Sequence, residues 1–297
     1  MVDLILGVGL VGEMVAEAVR ALPNSTLRGD ETTHTPWTDD AELQRSLDAL
    51  SSALESCTPR PAKVRVFWCA GKAGFAATES QCDGELRSFM VVLRWAERLS
   101  RDFLLEFHLT SSAGGLHEGQ LLVERTSPVN TTRPYANLKL RQEQALHSST
   151  LRTRFVYRLS TVYGVPAPGR RLGLISTLVL NALRRRPTLI TAHASTLRDF
   201  VAAGDVARFM ALEDKPATTS LTEGVHYLVS GHPLSVWALQ LSVERYLLRR
   251  IPVVYSTGKD NFESTTFQPS IRPPRWDASS VESNLTRIAA AAQVYAR

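Results

Sequence analysis

The sequence predicts an α/β protein, and two observations lead to that class. Short apolar runs typical of buried strands alternate with longer segments whose apolar residues recur at the helical period. The first run, Val2–Leu6, leads directly into a glycine-rich turn and then a helical pattern that extends to about Leu22. Regular alternation of strands and helices is typical of a parallel sheet covered by helices.

Composition is that of an ordinary globular protein. Apolar residues make up 44% and charged residues 21% of the 297 residues. No apolar run reaches the ~18 to 20 residues of a membrane helix, and the N-terminus lacks the pattern of a secretory signal. Three sparse cysteines and scattered histidines show no disulfide or metal-ligand spacing. We therefore expect a cytoplasmic protein with no membrane partner and no metal site.

The positive charge has a structural explanation. The net charge is +5 and the pI about 9.3, which is compatible with nucleic acid or an anionic small ligand. The arginine groups at 184–186 and 249–250 close predicted helices, where cations complement the helix dipole. No aromatic residues interleave with the arginines for base stacking. We therefore expect solvated helix ends and no nucleic-acid partner.

The turn after the first strand has the sequence of a dinucleotide-binding turn. Strand, G-x-G-x-x-G and helix follow one another here, and glycines let backbone N–H groups approach a pyrophosphate at the helix N-terminus. An acidic residue after the second strand would bind the ribose of NAD, and Asp30 lies 18 positions beyond the last glycine. Arg28 is the alternative, as a ligand for the 2′-phosphate of NADP. The residues expected at the cofactor are Gly7, Gly9, Leu10, Val11, Gly12 and Asp30.

The remaining elements are predicted from periodicity and from glycine and proline breaks. We expect helices at about 41–56, 85–101, 136–147, 172–184, 234–249 and 280–295. Strands are expected at about 63–69, 103–109, 154–159, 187–191 and 225–229, and a loop at 269–277. Thr26–Asp30 is a poor strand by composition, although the parallel sheet requires one there.

The helix predicted after Pro134 opens with a pair that can transfer protons. Tyr135 and Lys139 are four residues apart, so both side chains lie on one face of a helix, one turn apart. A lysine ammonium beside a phenol favours the phenolate and lowers the pKa of a tyrosine from its usual value of about 10. Such a tyrosine can exchange a proton with a substrate hydroxyl near neutral pH. The same spacing is common on surface helices, so it indicates a catalytic pair only if other motifs support it.

Those motifs form an ordered set. The apolar run at 103–109 is followed by Thr110-Ser111-Ser112-Ala113. With the glycine turn before it and the Tyr-x-x-x-Lys pair after it, this resembles the extended short-chain dehydrogenase/reductase family, in particular its NAD-dependent epimerase/dehydratase branch for nucleotide sugars. The resemblance covers about residues 2–213. It implies a Rossmann-type doubly wound parallel sheet with a smaller C-terminal substrate-binding lobe.

The resemblance also implies the limits of the two lobes and the roles of residues in the first. The cofactor domain would span mainly residues 1–165 and the substrate lobe 166–297, with returning segments at about 188–230. Ser112, Tyr135 and Lys139 would be catalytic: Ser112 would bind the reacting oxygen, Tyr135 would exchange its proton, and Lys139 would also hold the cofactor ribose. The residues after the third strand, Ala70, Gly71 and Lys72, would lie along the cofactor.

In the second lobe the resemblance implies a substrate site. Arg198, in Arg-Asp-Phe, would pair with the diphosphate of a sugar nucleotide, since a planar guanidinium suits phosphate. Arg171 is a weaker candidate, and Thr161 stands where the family often has asparagine. Asp205 is expected to be the N-cap of the following helix.

The activity implied is that of an NAD(P)-dependent epimerase of a nucleoside diphosphate sugar. A reductase or dehydrogenase of a sugar or other carbonyl compound is the alternative, and a non-catalytic dinucleotide-binding protein is the third reading. The dehydratases carry Asp-Glu after the catalytic hydroxyl, where this chain has Ala113-Gly114, so elimination is disfavoured. The cofactor is expected to be NAD, with NADP left open. The family commonly dimerises through the helices that here span 85–101 and 136–147, so a homodimer is expected.

Overall fold

The computed structural model of the chain describes residues 1–23, 26–28, 39–57, 62–167, 172–212, 224–256 and 263–296. The chain forms two compact units built from interleaved segments. The first comprises residues 1–116, 130–158 and 210–226, and the second residues 117–129, 159–209 and 227–297.

A six-stranded sheet is the centre of the first unit. Its order is β10-β5-β4-β3-β1-β2, with β1 (Val2–Leu6), β2 (Thr26–Arg28), β3 (Lys63–Trp68), β4 (Leu104–Ser112), β5 (Thr153–Leu159) and β10 (Val225–Leu228). β1 pairs in parallel with β2 and with β3, and β3 pairs in parallel with β4. All five residues of β1 are buried, as expected for a strand covered on both faces. The predicted α/β class is confirmed.

Helices α1 (Leu10–Arg20), α2 (Asp40–Glu55), α3 (Glu79–Leu99), α4 (Ala113–Leu116) and α5 (Pro134–Ser148) belong to the same unit. The main core lies between one face of the sheet and α2 and α3, and contains Leu4, Val66, Phe107, Leu43 and Phe89. The Asp39 carboxylate caps α2 by accepting from the N–H groups of residues 41 and 42. Pro134 begins α5 at a position where a proline ring costs no helical hydrogen bond.

Two boundaries differ from the predictions and affect the site. α3 begins at Glu79, six residues before the predicted start, because Thr78 and Gln81 form a reciprocal capping box. Glu85 therefore lies in the second turn of the helix. β4 extends through Ser112, three residues beyond the predicted end at residue 109, so Thr110, Ser111 and Ser112 belong to the strand.

The other face of the sheet buries polar and aromatic side chains. Arg65 forms an ion pair with Asp3, and both side chains are fully buried. Arg65 Nη1 also donates to the carbonyl of Ala211 at 2.9 Å. His108 stacks on Phe67 with the ring centroids 4.3 Å apart. This layer is held by specific polar contacts as well as by apolar burial.

Within the described ranges, the second unit contains three small two-stranded ladders. β6 (Thr161–Tyr163) pairs in parallel with β9 (Phe200–Ala202), β8 (Leu197–Arg198) pairs antiparallel with β11 (Leu234–Ser235), and β7 (Thr188–Ile190) pairs in parallel with β12 (Val253–Tyr255). α6 (Leu174–Leu183), α8 (Val236–Leu247) and α9 (Val281–Ala296) enclose its core, which includes Leu178, Leu239 and Leu285. A 3₁₀ turn at Pro269–Ile271 interrupts the predicted loop.

The expected role of Asp205 was wrong. α7 (Ala203–Ala211) begins two residues before Asp205, so this side chain lies in the first turn and not at the N-cap. Its buried carboxylate accepts from the backbone N–H of Ser279 at 2.8 Å and also contacts Arg208.

No helix in the described ranges is both long enough and apolar enough to cross a membrane.

Candidate functional site

The turn between β1 and α1 is built around its three glycines. Gly7 has a φ of +95°, and a Cβ there would lie 2.2 Å from the Cα of Ala70. A Cβ on Gly12 would lie 2.0 Å from the carbonyl oxygen of Gly7. These two glycines are therefore required by close backbone packing. Gly9 differs, because a Cβ there would have no described atom within 4 Å.

The open space beside Gly9 lies at the start of α1. Gly9 is the N-cap of this helix and has no side chain to accept from the first turn. The first N–H groups of a helix have no intrahelical partner and carry a partial positive charge. Leu10 and Val11, in that turn, are partly exposed. This combination of donors and open space fits the pyrophosphate of a dinucleotide.

The segment after β3 lies beside this turn. Ala70 is buried, and its backbone packs directly against Gly7. Gly71 has a φ of +146°, and a Cβ on it would lie 2.7 Å from Oε1 of Glu85. Lys72 is exposed. Glycine is needed at position 71 both for its backbone conformation and for the approach of Glu85.

Ser112 and Tyr135 are brought together around Gly115. A Cβ on Gly115 would lie 3.1 Å from Ser112 Oγ and 3.0 Å from Cε1 of the Tyr135 ring. The Ser112 hydroxyl accepts a hydrogen bond from the backbone N–H of Gly115 at 3.0 Å. This bond joins Ser112 to the short helix α4. Gly115 is therefore close to both of the side chains that are predicted to be catalytic.

Lys139 lies one turn along α5 from Tyr135. Its ammonium is 5.7 Å from the centre of the Tyr135 ring. It also donates to Oε1 of Glu85 at 3.3 Å and to Oε1 of Gln142 at 3.1 Å. Burial lowers the pKa of Lys139, but the nearby Glu85 carboxylate and the Tyr135 side chain outweigh this and raise the net pKa above its ordinary value. Lys139 is therefore a buried cation at neutral pH.

Further polar side chains on α5 tie the helix to the sheet. The Glu143 carboxylate accepts from Ser111 Oγ at 2.5 Å and from Arg158 Nη2 at 2.7 Å. The Phe75 ring lies 5.6 Å from the Tyr135 ring, centre to centre. Arg133 lies over Phe75, with Cζ 5.8 Å from the ring centre. Tyr135 is thus in contact with the Phe75 ring and lies near the Lys139 ammonium.

Two of the predicted substrate residues, Thr161 and Arg198, are in the second unit. Thr161, in β6, is partly buried, and its N–H donates to the carbonyl of Asp199 at 3.0 Å. Arg198 is partly buried in β8. The next residue, Asp199, is buried, and its carboxylate accepts from the N–H groups of Ser230 and Gly231 at 2.8 and 2.7 Å. Asp199 therefore anchors the strand segment that carries Arg198.

Two predicted residues, Asp30 and Arg171, lie outside the described residues. The backbone of Arg28 is described as part of β2. Four residues of the site were not predicted: Phe75, Glu85, Gly115 and Gln142. A signal for Gln142 was present, because it follows Tyr135 and Lys139 at helical spacing and is a polar residue on the buried face of α5. Glu85 carried no such signal, because its contact with Lys139 joins two helices.

Comparison with known protein families gives a match over most of the chain. A model of the NAD dependent epimerase/dehydratase family matches residues 4–217. No curated protein sequence matches the chain significantly.

Solved structures match the whole chain. MoeE5 in complex with UDP-glucose and NAD is 19% identical with a TM-score of 0.76, covering 100% of this chain and 99% of that chain. The UDP-glucose 4-epimerase of Thermotoga maritima with UDP-glucose is 16% identical with a TM-score of 0.75, covering 100% and 99%. The UDP-glucuronic acid 4-epimerase of Bacillus cereus, in complex with UDP-glucuronic acid and NAD, is 16% identical with a TM-score of 0.74, covering 99% and 100%. These matches confirm the predicted Rossmann-type fold.

Proposed function

Because the chain belongs to the NAD dependent epimerase/dehydratase family, we propose that it is an NAD-dependent epimerase of a nucleoside diphosphate sugar. The resemblance seen in the sequence is confirmed at the level of the family. The observation that carries the proposal is the meeting of Ser112 and Tyr135 around Gly115, with the Lys139 ammonium 5.7 Å from the tyrosine ring.

The residues of the first unit suit the cofactor. The open space at Gly9 and the N–H groups that begin α1 would hold the pyrophosphate, and Ala70, Gly71 and Lys72 would line the cofactor beyond it. When bound, NAD would supply a reversible hydride acceptor for a carbon of the sugar.

The chain's own side chains would handle the proton. Tyr135 Oη would remove the proton of a sugar hydroxyl and return one to the same oxygen after inversion. The Ser112 hydroxyl would hold that oxygen in line with Tyr135. Lys139, buried and charged, would stabilise the phenolate and donate to the cofactor ribose.

Recognition of the nucleotide part is assigned to the second unit. Arg198 is the candidate for the diphosphate, with Arg171 as a weaker one, and Thr161 is proposed to contact the substrate. The presence of UDP-sugars in the complexes of the similar structures supports UDP as the nucleotide to test first. We also propose a homodimer formed through α3 and α5.

The decisive experiment is to ask whether the purified protein carries NAD and interconverts UDP-glucose and UDP-galactose, or the corresponding uronates, without added cofactor. Bound NAD is released by denaturation and quantified by its absorbance. Interconversion without net oxidation supports an epimerase. Consumption of added NADH with a carbonyl compound, and no UDP binding, would instead establish the reductase.

A further inference from the structure

The Glu85 carboxylate bridges two parts of the proposed site. Its Oε1 accepts from the Lys139 ammonium at 3.3 Å, and its Oε2 accepts from the Ala73 N–H at 3.1 Å. Gly71, in the same loop, has no Cβ and so leaves room for this carboxylate. Glu85 therefore connects α3 both to α5 and to the loop after β3.

The pair is shielded from water. The side chains of Lys139 and Glu85 are only 7% and 9% exposed. A buried ion pair of this kind responds strongly to the loss of one partner, because an uncompensated charge then remains in a poorly solvated place. Exposed ion pairs are weak by comparison, and Arg141–Asp83 joins the same two helices with both side chains nearly half exposed.

The ammonium has three N–H donors. Glu85 and Gln142 accept from two of them. Within the described residues, no acceptor within hydrogen-bond distance is assigned to the third, which leaves one donor for a ligand hydroxyl. The two acceptors thus fix the position of the ammonium and the direction of its remaining donor.

We propose that Glu85 is a positioning residue of the site, which holds the Lys139 ammonium in place and fastens the loop after β3 to it. This inference rests on the proposed function, in which Lys139 contacts the cofactor ribose and Tyr135. In this arrangement Glu85 acts through its ion pair with Lys139.

The charge of Glu85 also affects the protonation of Lys139. The titratable groups facing Lys139 are Glu85 and Cys82 from α3, Tyr135 and Glu143 from α5, and Cys69 after β3. Burial lowers the pKa of Lys139, and the Glu85 carboxylate counteracts this effect. Removing the charge of Glu85 should therefore lower the pKa of Lys139. An opposite charge at this range shifts a pKa by roughly one to three units. Lys139 should then lose its proton at a lower pH.

The test compares Glu85→Gln with Asp83→Asn. Gln has the size of Glu and keeps a hydrogen-bond acceptor, but it carries no charge. Asp83→Asn is the control, because it removes an exposed ion pair between the same two helices. The pH titration of the Lys139 side chain is followed by NMR of protein with ¹³C-labelled lysine, assigned with Lys139→Arg. The midpoint should fall by at least about one pH unit in Glu85→Gln and stay at the wild-type value in Asp83→Asn. Glu85→Asp shortens the side chain by one methylene and so moves the carboxylate away from Lys139. The titration midpoint should fall less in this variant than in Glu85→Gln, and Glu85→Asp is the test variant if Glu85→Gln does not fold.

An unchanged midpoint in the folded Glu85 variant overturns the proposal. NADH affinity is measured over the same pH range. This second measurement tells a failure of the Glu85 proposal apart from a failure of the proposed function. If Lys139 holds the cofactor, the pH at which NADH affinity declines moves down together with the midpoint. A shifted midpoint with unaltered NADH binding would mean that Glu85 controls Lys139 but that neither residue serves the cofactor, which removes both from the site.

Discussion

At the scale of single residues, the site depends on how closely a few side chains approach. Ser112 Oγ and the Tyr135 ring each lie about 3 Å from the point where a Cβ of Gly115 would be. In the proposed mechanism the Ser112 hydroxyl and the Tyr135 hydroxyl contact the same substrate oxygen, and that alignment is what the next prediction tests.

Replacing Tyr135 by Phe should lower turnover by at least ~10²-fold, because this removes the group that exchanges the proton. Folding and NAD binding should be retained, since the ring contact with Phe75 persists. Tyr246→Phe, at an exposed position on α8, is the matched control. Steady-state turnover near wild type in Tyr135→Phe would exclude this tyrosine from the mechanism.

Arg198→Ala should weaken UDP binding by roughly 30-fold or more, because removing one partner of a desolvated charge pair costs ~2 to 5 kcal/mol. Calorimetric titration with UDP measures this effect, and NAD affinity should hardly change. Arg245→Ala, at an exposed position of α8 in the same unit, is the control. Equal losses in both variants would indicate a general charge effect and not a diphosphate site.

At the scale of elements, the turn from β1 to α1 contains glycines that close packing requires, Gly7 and Gly12, and one that is proposed to lie beside the cofactor, Gly9. Gly9→Ala should fold normally, because its φ of −102° suits any residue and its Cβ would meet open space. NAD affinity should nevertheless fall by ~10-fold or more, a cost of about 1.4 kcal/mol, because the methyl group occupies the approach of the pyrophosphate.

Gly12→Ala gives the contrasting result for the same turn. Its Cβ would press on the carbonyl of Gly7, so unfolding by denaturant should show a loss of about 1 to 3 kcal/mol. If Gly9→Ala binds NAD as the wild type does, the pyrophosphate does not lie at this helix.

The helices α3 and α5 are the elements proposed to form the homodimer. The exposed positions of α3 are polar and include Arg87, Arg94 and Arg98. A dimer through this face should therefore weaken as salt is raised, because charge contacts near the surface are screened. Light scattering at micromolar concentration should give twice the chain mass in low salt, and Arg94→Glu should reduce it. A mass near 32.8 kDa for the wild type would contradict the proposal.

At the scale of the whole molecule, stability should depend on the partly buried carboxylate of Glu106. Burial alone would raise the pKa of Glu106, but His108 and Lys63 outweigh it and lower the pKa from 4.5 to about 2. A carboxyl with a depressed pKa contributes stability above its ordinary pKa, and this contribution is lost as the pH falls towards the folded value. The contribution of Glu106 should therefore be present at neutral pH and decline between about pH 4.5 and 2.

Glu106→Gln tests this dependence. Urea unfolding at pH 7 should show the variant less stable than the wild type, and the difference should shrink at pH 3 as the native carboxylate approaches its pKa. Glu55→Gln, exposed at the end of α2, is the control and should show no such difference. A destabilisation of equal size at both pH values would mean that Glu106 acts through packing and not through its charge.

The sequence by itself determined the α/β class, the glycine turn after β1, and the order along the chain of Ser112, Tyr135 and Lys139, the residues proposed to be catalytic. These features depend on local order along the chain: periodicity identifies helices and strands, and a four-residue spacing brings Tyr135 and Lys139 to one face of a single helix. The limits of α3 and β4 were less accurate, because a capping box begins α3 before the apolar pattern and β4 continues through hydroxyl residues beyond it.

Only the tertiary structure decided which residues complete the site. Gly115 packs close to both Ser112 and Tyr135, and Glu85 contacts Lys139 between two helices although the two residues are 54 positions apart in the chain. Gly9 was distinguished from Gly7 and Gly12 by the atoms around it, although all three belong to one motif. The physical reason is that such contacts depend on where separate elements pack, and side-chain spacing within one element does not encode the distance to another.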